Sequence, residues 1–422
     1  MPGFKVTILP GTYDCRNLGD LAMLKVCLER VRKALPVTRV NVLTAAPSQL
    51  EKHCPGIIPI PLKGRNRWLD LHALPRFLAP SVPPARRARL KLMPAGVKGM
   101  FKLFWPGQIS NVRTFTEAFF GSDLFLMSGC GAINDVFWFN ALRILATFDA
   151  AQSAKIPTAM FGQGIGPLEQ PRLRRAVANT FRQMNLVGLR DEFTSLKWLE
   201  ECGALSVPAH FTGDDALELA TRNGTAQGER SGIGLSFRST NYAKLPLESL
   251  LAIRESLLEA AREYSKPLVR LNLLLGGRDS DEQALDELLG GQTAKDTSVE
   301  EATPEKVIRR IGSCRIVITA SYHAALFALG QGIPAICLAG SKYYEEKFRG
   351  LAQQFPDGCT ILHPQETTFR TQFRHAVARL WNFPAAPLIA SAEPQIRKGQ
   401  VLYAQLPVVL ESAGPMARAR SR

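Results

Sequence analysis

An α/β protein of two domains with parallel sheets is what the sequence predicts, and three observations predict it. The chain of 422 residues is longer than one hydrophobic core ordinarily holds, which points to two domains of about 200 residues each. Short apolar runs alternate with amphipathic stretches of helical length, the pattern of β-α-β units whose strands are covered on both faces. A polar, glycine-bearing stretch, 222–230, separates two such series and suits an interdomain linker.

Taken in order, Val6–Leu9 reads as the first strand, followed by a glycine-bearing turn and a helix from about Asp20 to Lys33, with Asp20 as a plausible cap. Val40–Thr44 is the next strand. Thr114–Phe120 is helical, and Leu124–Met127 is an apolar run short enough for a buried parallel strand. The turn Ser128–Gly131 leads to a helix near Asn140–Ser153, then the strand Thr158–Phe161, the loop Gly162–Pro167, a helix to about Met184 and the strand Leu186–Leu189. Beyond the linker come strands at Ile233–Ser236, Leu268–Leu275, Ile316–Thr319 and Ala335–Leu338, with helices near 247–264, 304–312 and 322–331. The expected organisation is an N-terminal α/β domain over 1–220, a C-terminal α/β domain over 231–390, and a C-terminal helix and basic tail over 391–422. Two Rossmann-like domains in series around a central cleft describe a GT-B-like arrangement.

An apolar fraction of 46% and a charged fraction of 21% are those of an ordinary folded, soluble chain. Residues 1–9 run straight into a strand-like stretch without an apolar signal region, and nowhere do 18 apolar residues follow one another, so a cytoplasmic location is expected. The eight cysteines are scattered, with no Cys-x-x-Cys pair and no histidine at zinc-ligand spacing. They read as reduced, mostly buried thiols, and no metal site is expected.

The net charge of +15 is concentrated in one place. From Lys63 to Arg113 eleven Lys or Arg residues stand against Asp70 alone, which is +10. Trp68, Leu69, Phe77, Phe101, Phe104 and Trp105 alternate with these cations, as on a segment lying at a membrane surface. Contact with the inner face of a membrane or with a lipid-linked acceptor, a lid that steers an anionic substrate, and a plain solvated loop all fit this insertion, 63–113. Nucleic-acid binding is disfavoured, because the positive charge comes with no recognisable binding motif. The sequence carries no signal of oligomeric state.

In open parallel sheets ligands bind beyond the carboxyl ends of the strands, so polar residues just after a strand are the ones to weigh. In Gly11–Asp20 a loop leads to a helix start, where free N–H groups can hold an anion or a sugar hydroxyl; Asn17 and Asp20 are candidate acceptor ligands, or simply caps. Asn134, in the turn 128–135, is a third. Gly164, in the loop Gly162–Pro167, lets the backbone approach a ligand closely. Neither turn is followed by Gly-Lys-Ser/Thr and no first strand carries the dinucleotide fingerprint, which disfavours ATP or nicotinamide chemistry. Arg190 ends a strand with its planar fork directed at the cleft, suited to carboxylate or phosphate, unless it forms a surface pair with Asp191 or Glu192. His323 opens a small-residue helix that Gly332 and Pro334 terminate, and Lys342 and Lys347 beyond the next strand can face the same cleft.

In their order, Asn17-Leu18-Gly19-Asp20, Gly162–Pro167, Leu189-Arg190-Asp191 with Ser195, Gly213-Asp214, and His323 followed by Gly332-Ile333-Pro334 and 341–347 resemble the polysaccharide pyruvyl transferase family over about residues 5–360. The resemblance implies a GT-B-like fold. It also implies an enzyme that moves the enolpyruvyl unit of phosphoenolpyruvate onto two hydroxyls of a sugar, making a pyruvate ketal, with phosphoenolpyruvate as co-substrate and no cofactor. On that resemblance His323 is the acid, Arg190 the anion-binding arginine and Lys347, or less well Lys342, the late lysine. Many family members carry an arginine two residues before the histidine, where this chain has Ser321; Arg238 or Arg278 is expected to replace that donor ligand. Partners are then a small-molecule donor and a glycan, free or lipid-linked. The rival readings are a GT-B nucleotide-sugar glycosyltransferase, with Glu345 or Glu346 as its ribose-holding carboxylate, and a non-catalytic glycan-binding relative.

Overall fold

The computed structural model describes residues 3–78, 106–204, 209–224, 230–238, 245–290 and 302–412. Its strands are β1 (Phe4–Leu9), β2 (Val37–Thr44), β3 (Ile58–Pro61), β4 (Leu124–Met127), β5 (Thr158–Gln163), β6 (Leu186–Leu189), β7 (Ala209–Phe211), β8 (Gly232–Ser236), β9 (Leu268–Arg270), β10 (Cys314–Thr319), β11 (Ala335–Leu338) and β12 (Cys359–Leu362). They form a seven-stranded sheet in the order β3-β2-β1-β4-β5-β6-β7 and a five-stranded sheet in the order β12-β11-β10-β8-β9. Every pairing is parallel. Runs such as Leu124–Met127 and Ala335–Leu338 are buried throughout, because helices cover both faces of each sheet. Two parallel α/β units follow one another, as the alternation of strand and helix patterns requires.

The two sheets share one apolar cluster. It joins Val6, Leu21 and Leu24 of the first unit to Val317, Ala324 and Phe327 of the second. The helix Tyr322–Gly330 lies in this seam with every residue buried. The chain then crosses back: in the helix Ala385–Tyr403, Tyr403 stacks on Phe161 of β5 at 3.7 Å between ring centroids, and its hydroxyl donates to Asp215 at 2.6 Å. The C-terminal helix expected within 391–422 thus begins at Ala385 and packs on the first sheet; 413–422 lie outside the described residues.

Three elements differ from expectation. The strand expected over Leu268–Leu275 stops at Arg270, because Leu274 bridges Asn17, and Leu273 O accepts from Leu18 N instead of extending the ladder. Asn17, and not Asp20, caps the helix Leu18–Ala34, its Oδ1 accepting from Gly19 N at 3.1 Å; Asp20 lies in the first turn. The start of the basic insertion is no loop but the helix Leu62–Leu78, lying against a second helix, Pro106–Phe120. Trp68 is 5% exposed there, with Phe115, Phe119 and Phe120 at 5.6–5.9 Å, and Arg65 is buried with its guanidinium on Tyr13. Trp68 is therefore a core residue and not a membrane-facing one. Trp68→Ala should cost about 3–5 kcal/mol in denaturant unfolding through lost burial and the cavity left behind. Residues 79–105, with Phe101, Phe104 and Trp105, lie outside the described residues.

Candidate active site

Each sheet has one place where the strand order reverses, and that is where an open parallel sheet forms a crevice. In the first sheet it lies between β1 and β4, and in the second between β8 and β10. The turns leaving these four strands, with the first turns of the helices that follow, carry Asn17 and Asp20, Gly131, Arg238, and Ser321 with His323. The two crevices meet. The β1 loop is joined to the second unit by Leu18 N to Leu273 O at 2.8 Å, Leu275 N to Arg16 O at 3.0 Å, and an Arg16–Asp279 ion pair at 2.7 Å. Across the seam Gln354 donates to Arg190 O at 2.9 Å, and Tyr343 donates its hydroxyl to Gly131 O at 3.2 Å.

His323 is set in this seam by contacts that leave it little freedom. A Cβ added at Gly19 would lie 2.1 Å from His323 Cγ and 2.2 Å from Nδ1, so the first turn of the helix Leu18–Ala34 has room for the imidazole only because it carries no side chain there. His323 Nε2 stands 3.7 Å from Asp214 Oδ2, beyond β7, too far for a hydrogen bond. Burial pushes the imidazole's proton affinity well below its usual value, and Arg190, Lys347 and Arg238 push it the same way. These surroundings favour the neutral ring. Burial raises the Asp214 carboxyl to about 7 against the pull of Arg190, and raises Asp20 to about 6 against Lys347.

Arg190 and Lys347 converge from opposite sides of the seam. A Cβ built at Gly131 would lie 3.0 Å from Arg190 Nη2 and 3.1 Å from Lys347 Nζ. Arg190 is 3% exposed and stands 3.9 Å from Asp191 Oδ2, so the pair with Asp191 exists but is buried and not on the surface. Its backbone N–H donates to Gln163 O at 3.0 Å, and its guanidinium lies 4.2 Å from the Tyr322 ring centroid. Asp191 turns aside to cap Glu192–Leu196, accepting from Thr194 N and Ser195 N at 2.9 Å, and Ser195 Oγ in turn accepts from Ile165 N at 2.9 Å. The Arg190 turn and the 162–167 loop are thereby locked together. Lys347 donates to the Tyr343 hydroxyl, and its ammonium lies 4.0 Å from that ring's centroid. Burial and the nearby Arg190 lower its proton affinity well below the usual lysine range, while Asp20 works the other way. The result is a pocket in which Arg190, Lys347 and Arg238 surround a buried histidine, a setting that favours a compact polyanion.

The remaining candidates divide by position. Arg238, after β8, is mostly buried at 3.6 Å from Asp281 and adds to the positive field on His323. Ser321 is buried at the cap of the His323 helix, its N–H donating to Thr319 Oγ1 at 2.8 Å. Asn134 is a turn lock: Nδ2 donates to Gly131 O at 2.7 Å and Oδ1 accepts from Phe137 N at 2.9 Å. Asn17 Nδ2 donates to Asp20 Oδ2 at 2.9 Å, which aims Asp20 toward Lys347. Lys342 is apart from the rest, exposed and paired with Glu169 at the rim of the seam. Asp214, Tyr322 and Tyr343 belong to the site; sequence reasoning marked Asp214 as a carboxylate at a strand end but gave it, like the two tyrosines, no role. For Asp214 the signal was available: a carboxylate behind a glycine at the end of a short strand.

A model of the polysaccharide pyruvyl transferase family matches residues 17–342, from the cap Asn17 to Lys342. The chain belongs to this family. Sequence comparison with curated proteins gives no match. Among solved structures the chain is similar to a UDP-GlcNAc 2-epimerase from Methanocaldococcus jannaschii, with TM-score 0.55, 12% identity and coverage of 93% of this chain and 98% of the other. A UDP-GlcNAc 2-epimerase from Neisseria meningitidis bound to UDP-GlcNAc gives TM-score 0.53 and 14% identity over 94% and 99%. A spinosyn rhamnosyltransferase complexed with spinosyn aglycone gives 0.50 and 14% over 97% and 100%. At these identities the likeness is one of fold, and it places this pyruvyl transferase family member among GT-B architectures.

Within the transferase, Gly164 is where backbone and guanidinium come closest. A Cβ there would lie 2.4 Å from Arg190 Nε, Cζ and Nη2. Gly164→Ala should displace the guanidinium and lower kcat/KM by about 100-fold with the fold retained, read by steady-state kinetics beside circular dichroism.

Proposed function

We propose that the protein transfers the enolpyruvyl unit of phosphoenolpyruvate onto two hydroxyls of one sugar in a polysaccharide or lipid-linked glycan, closing a cyclic pyruvate ketal and releasing phosphate. The observation that carries this reading is the convergence of Arg190 and Lys347 at Gly131, with the buried His323 beside these cations. Phosphoenolpyruvate bears a carboxylate and a phosphate at the two ends of a three-carbon frame. Arg190 suits one of these bidentately and Lys347 the other as a point charge.

Binding a polyanion raises the proton affinity of His323, so the donor arms its own acid. His323 delivers a proton to the methylene carbon, making a methyl group and an oxocarbenium-like carbon. The first sugar hydroxyl adds there. The bond between that carbon and the bridging oxygen breaks, phosphate leaves with the electron pair, and the second hydroxyl closes the ring. Of the two hydroxyl protons, one restores the acid and the other leaves on phosphate, so no water or oxidant is consumed. Arg190 and Lys347 offset the charge that develops on the leaving group.

The rival carboxylates are engaged elsewhere: Glu345 pairs with Arg349 and His363, and Glu346 accepts from Trp198 Nε1. The test is incubation with phosphoenolpyruvate and a panel of free and lipid-linked glycans, following phosphate release. Turnover with a UDP- or GDP-sugar and none with phosphoenolpyruvate would overturn the reading.

No helix among the described residues is long and apolar enough to cross a membrane. Within this proposal the basic stretch 63–113 serves a lipid-linked acceptor by contacting an anionic bilayer at the inner face of a membrane. Flotation with anionic liposomes should show binding at low salt that is lost at high salt; no binding at low salt would leave the stretch a lid or a loop.

A further inference from the structure

Among the enclosed polar atoms of the seam that have no hydrogen-bond partner are Asp214 Oδ2 and His323 Nε2. They face each other across 3.7 Å. Buried polar atoms are nearly always paired, so two facing orphans call for an explanation. One carboxylate and one imidazole, each unpaired and aimed at the other, have the composition of a pair that holds a single proton.

We propose that Asp214 and His323 act as one acid, a facing carboxylate–imidazole pair that holds a single proton, on Oδ2 or on Nε2, assembled from the two halves of the fold. The inference deepens the proposed function and rests on His323 being its acid. Asp214 acts through His323 and is a positioning residue.

The surroundings fit this division. Asp214 is fixed by its other oxygen, Oδ1, which accepts from Ala216 N at 2.9 Å. Oδ2 is thereby left for the imidazole. The groups facing Asp214 are Arg190, Asp215 and Asp20. Of these, Asp215 is held by Arg30 and by the Tyr403 hydroxyl, each at 2.6 Å, and is thereby occupied elsewhere. The groups facing His323 are Arg190, Lys347 and Arg238, all positive, with the Tyr322 ring centroid at 5.3 Å and Phe327 at 6.1 Å. Asp214 is the one carboxylate within ion-pair distance of the ring among the described residues. Without it, three cations would hold the imidazole deprotonated; with it, the pair keeps a proton before the donor binds, on oxygen or on nitrogen. An arriving polyanion offsets the cations and moves that proton onto Nε2 for delivery. When the proton leaves for the donor's methylene carbon, a sugar hydroxyl proton refills the pair, so the balance of the reaction is unchanged.

Asp214→Asn is the informative variant, because the asparagine Oδ1 still accepts from Ala216 N and the turn should stand. Two measurements are made on wild type and variant. In kinetics with phosphoenolpyruvate, kcat should fall about 100-fold with the donor KM nearly unchanged. The alkaline limb of the pH profile should move to lower pH, because removing a neighbouring carboxylate weakens proton binding by the imidazole. In the second, the protein is labelled with 15N-histidine and the imidazole nitrogens are followed from about pH 5 to 8. The His323 signal, one of six, is identified by its loss in His323→Ala. Wild type should show a His323 titration that Asp214→Asn lacks. Identical titrations, or an unchanged kcat and alkaline limb, would overturn the pair. If phosphoenolpyruvate proves not to be the donor, the kinetic arm fails for wild type as well, and the nitrogen titration still decides whether the pair exists.

Discussion

His323→Ala should lower kcat by about 10²- to 10⁴-fold, the range a positioned general acid supplies, while the protein stays folded. The fold should survive for local reasons. Alanine is the best helix former, it already occupies positions 324 and 325, and the side chain removed has an unpaired nitrogen whose burial is itself costly. Activity should fail because, among the described residues, Asp214 alone lies within ion-pair distance of the vacated position, and it acts through the imidazole that has been removed. Unfolding curves and single-turnover kinetics separate the two statements. Near-normal turnover in a folded variant would remove His323 from the acid role.

Arg190→Lys should cost about 10²- to 10³-fold in kcat/KM although the charge is kept. A guanidinium presents parallel N–H groups to a carboxylate or phosphate and lies flat on an aromatic ring; an ammonium does neither. Here the flat contact is the Tyr322 ring at 4.2 Å, and the space is closed by Gly164 at the back of the fork. The shorter-headed lysine would leave a void beside Gly164 and a single donor at the ligand. The loss should lie mainly in the donor KM, and a variant within a few-fold of wild type would mean that Arg190 supplies field and not geometry.

The central strands of both sheets were legible because buried parallel strands are short continuous apolar runs, and Leu124–Met127 and Ala335–Leu338 stand out as such. The edges were not. Ile58–Pro61 carries prolines, tolerable only where no ladder bond is needed, and Ala209–Phe211 is three residues long. The helix at Leu62–Leu78 was hidden by its charges, and its core contact, Trp68, looks from sequence like an exposed aromatic among cations.

In the site, His323, Arg190 and Lys347 could be named because each sits at a strand end or on the helix just beyond one. The preference for Lys347 over Lys342 rested on resemblance alone, yet five positions on a helix are about 140° around its axis, and the structure puts one in the pocket and the other on Glu169 at the rim. Asn17 took the cap expected of Asp20, since only Asn17 lies just outside the helix with extended backbone, and Asp20 was freed to face Lys347. The meaning of Asp214 depended on two sheets meeting, which no local pattern encodes.

The most direct test of the account is the transfer reaction run in D2O with phosphoenolpyruvate and an accepting glycan, with the product examined by NMR and mass spectrometry. Protonation of the methylene carbon followed by ring closure predicts a pyruvate ketal whose methyl group carries one deuterium, with one phosphate released for each ketal formed. An enolpyruvyl ether that keeps its methylene, or a glycan that changes only when a nucleotide sugar is supplied, would contradict it.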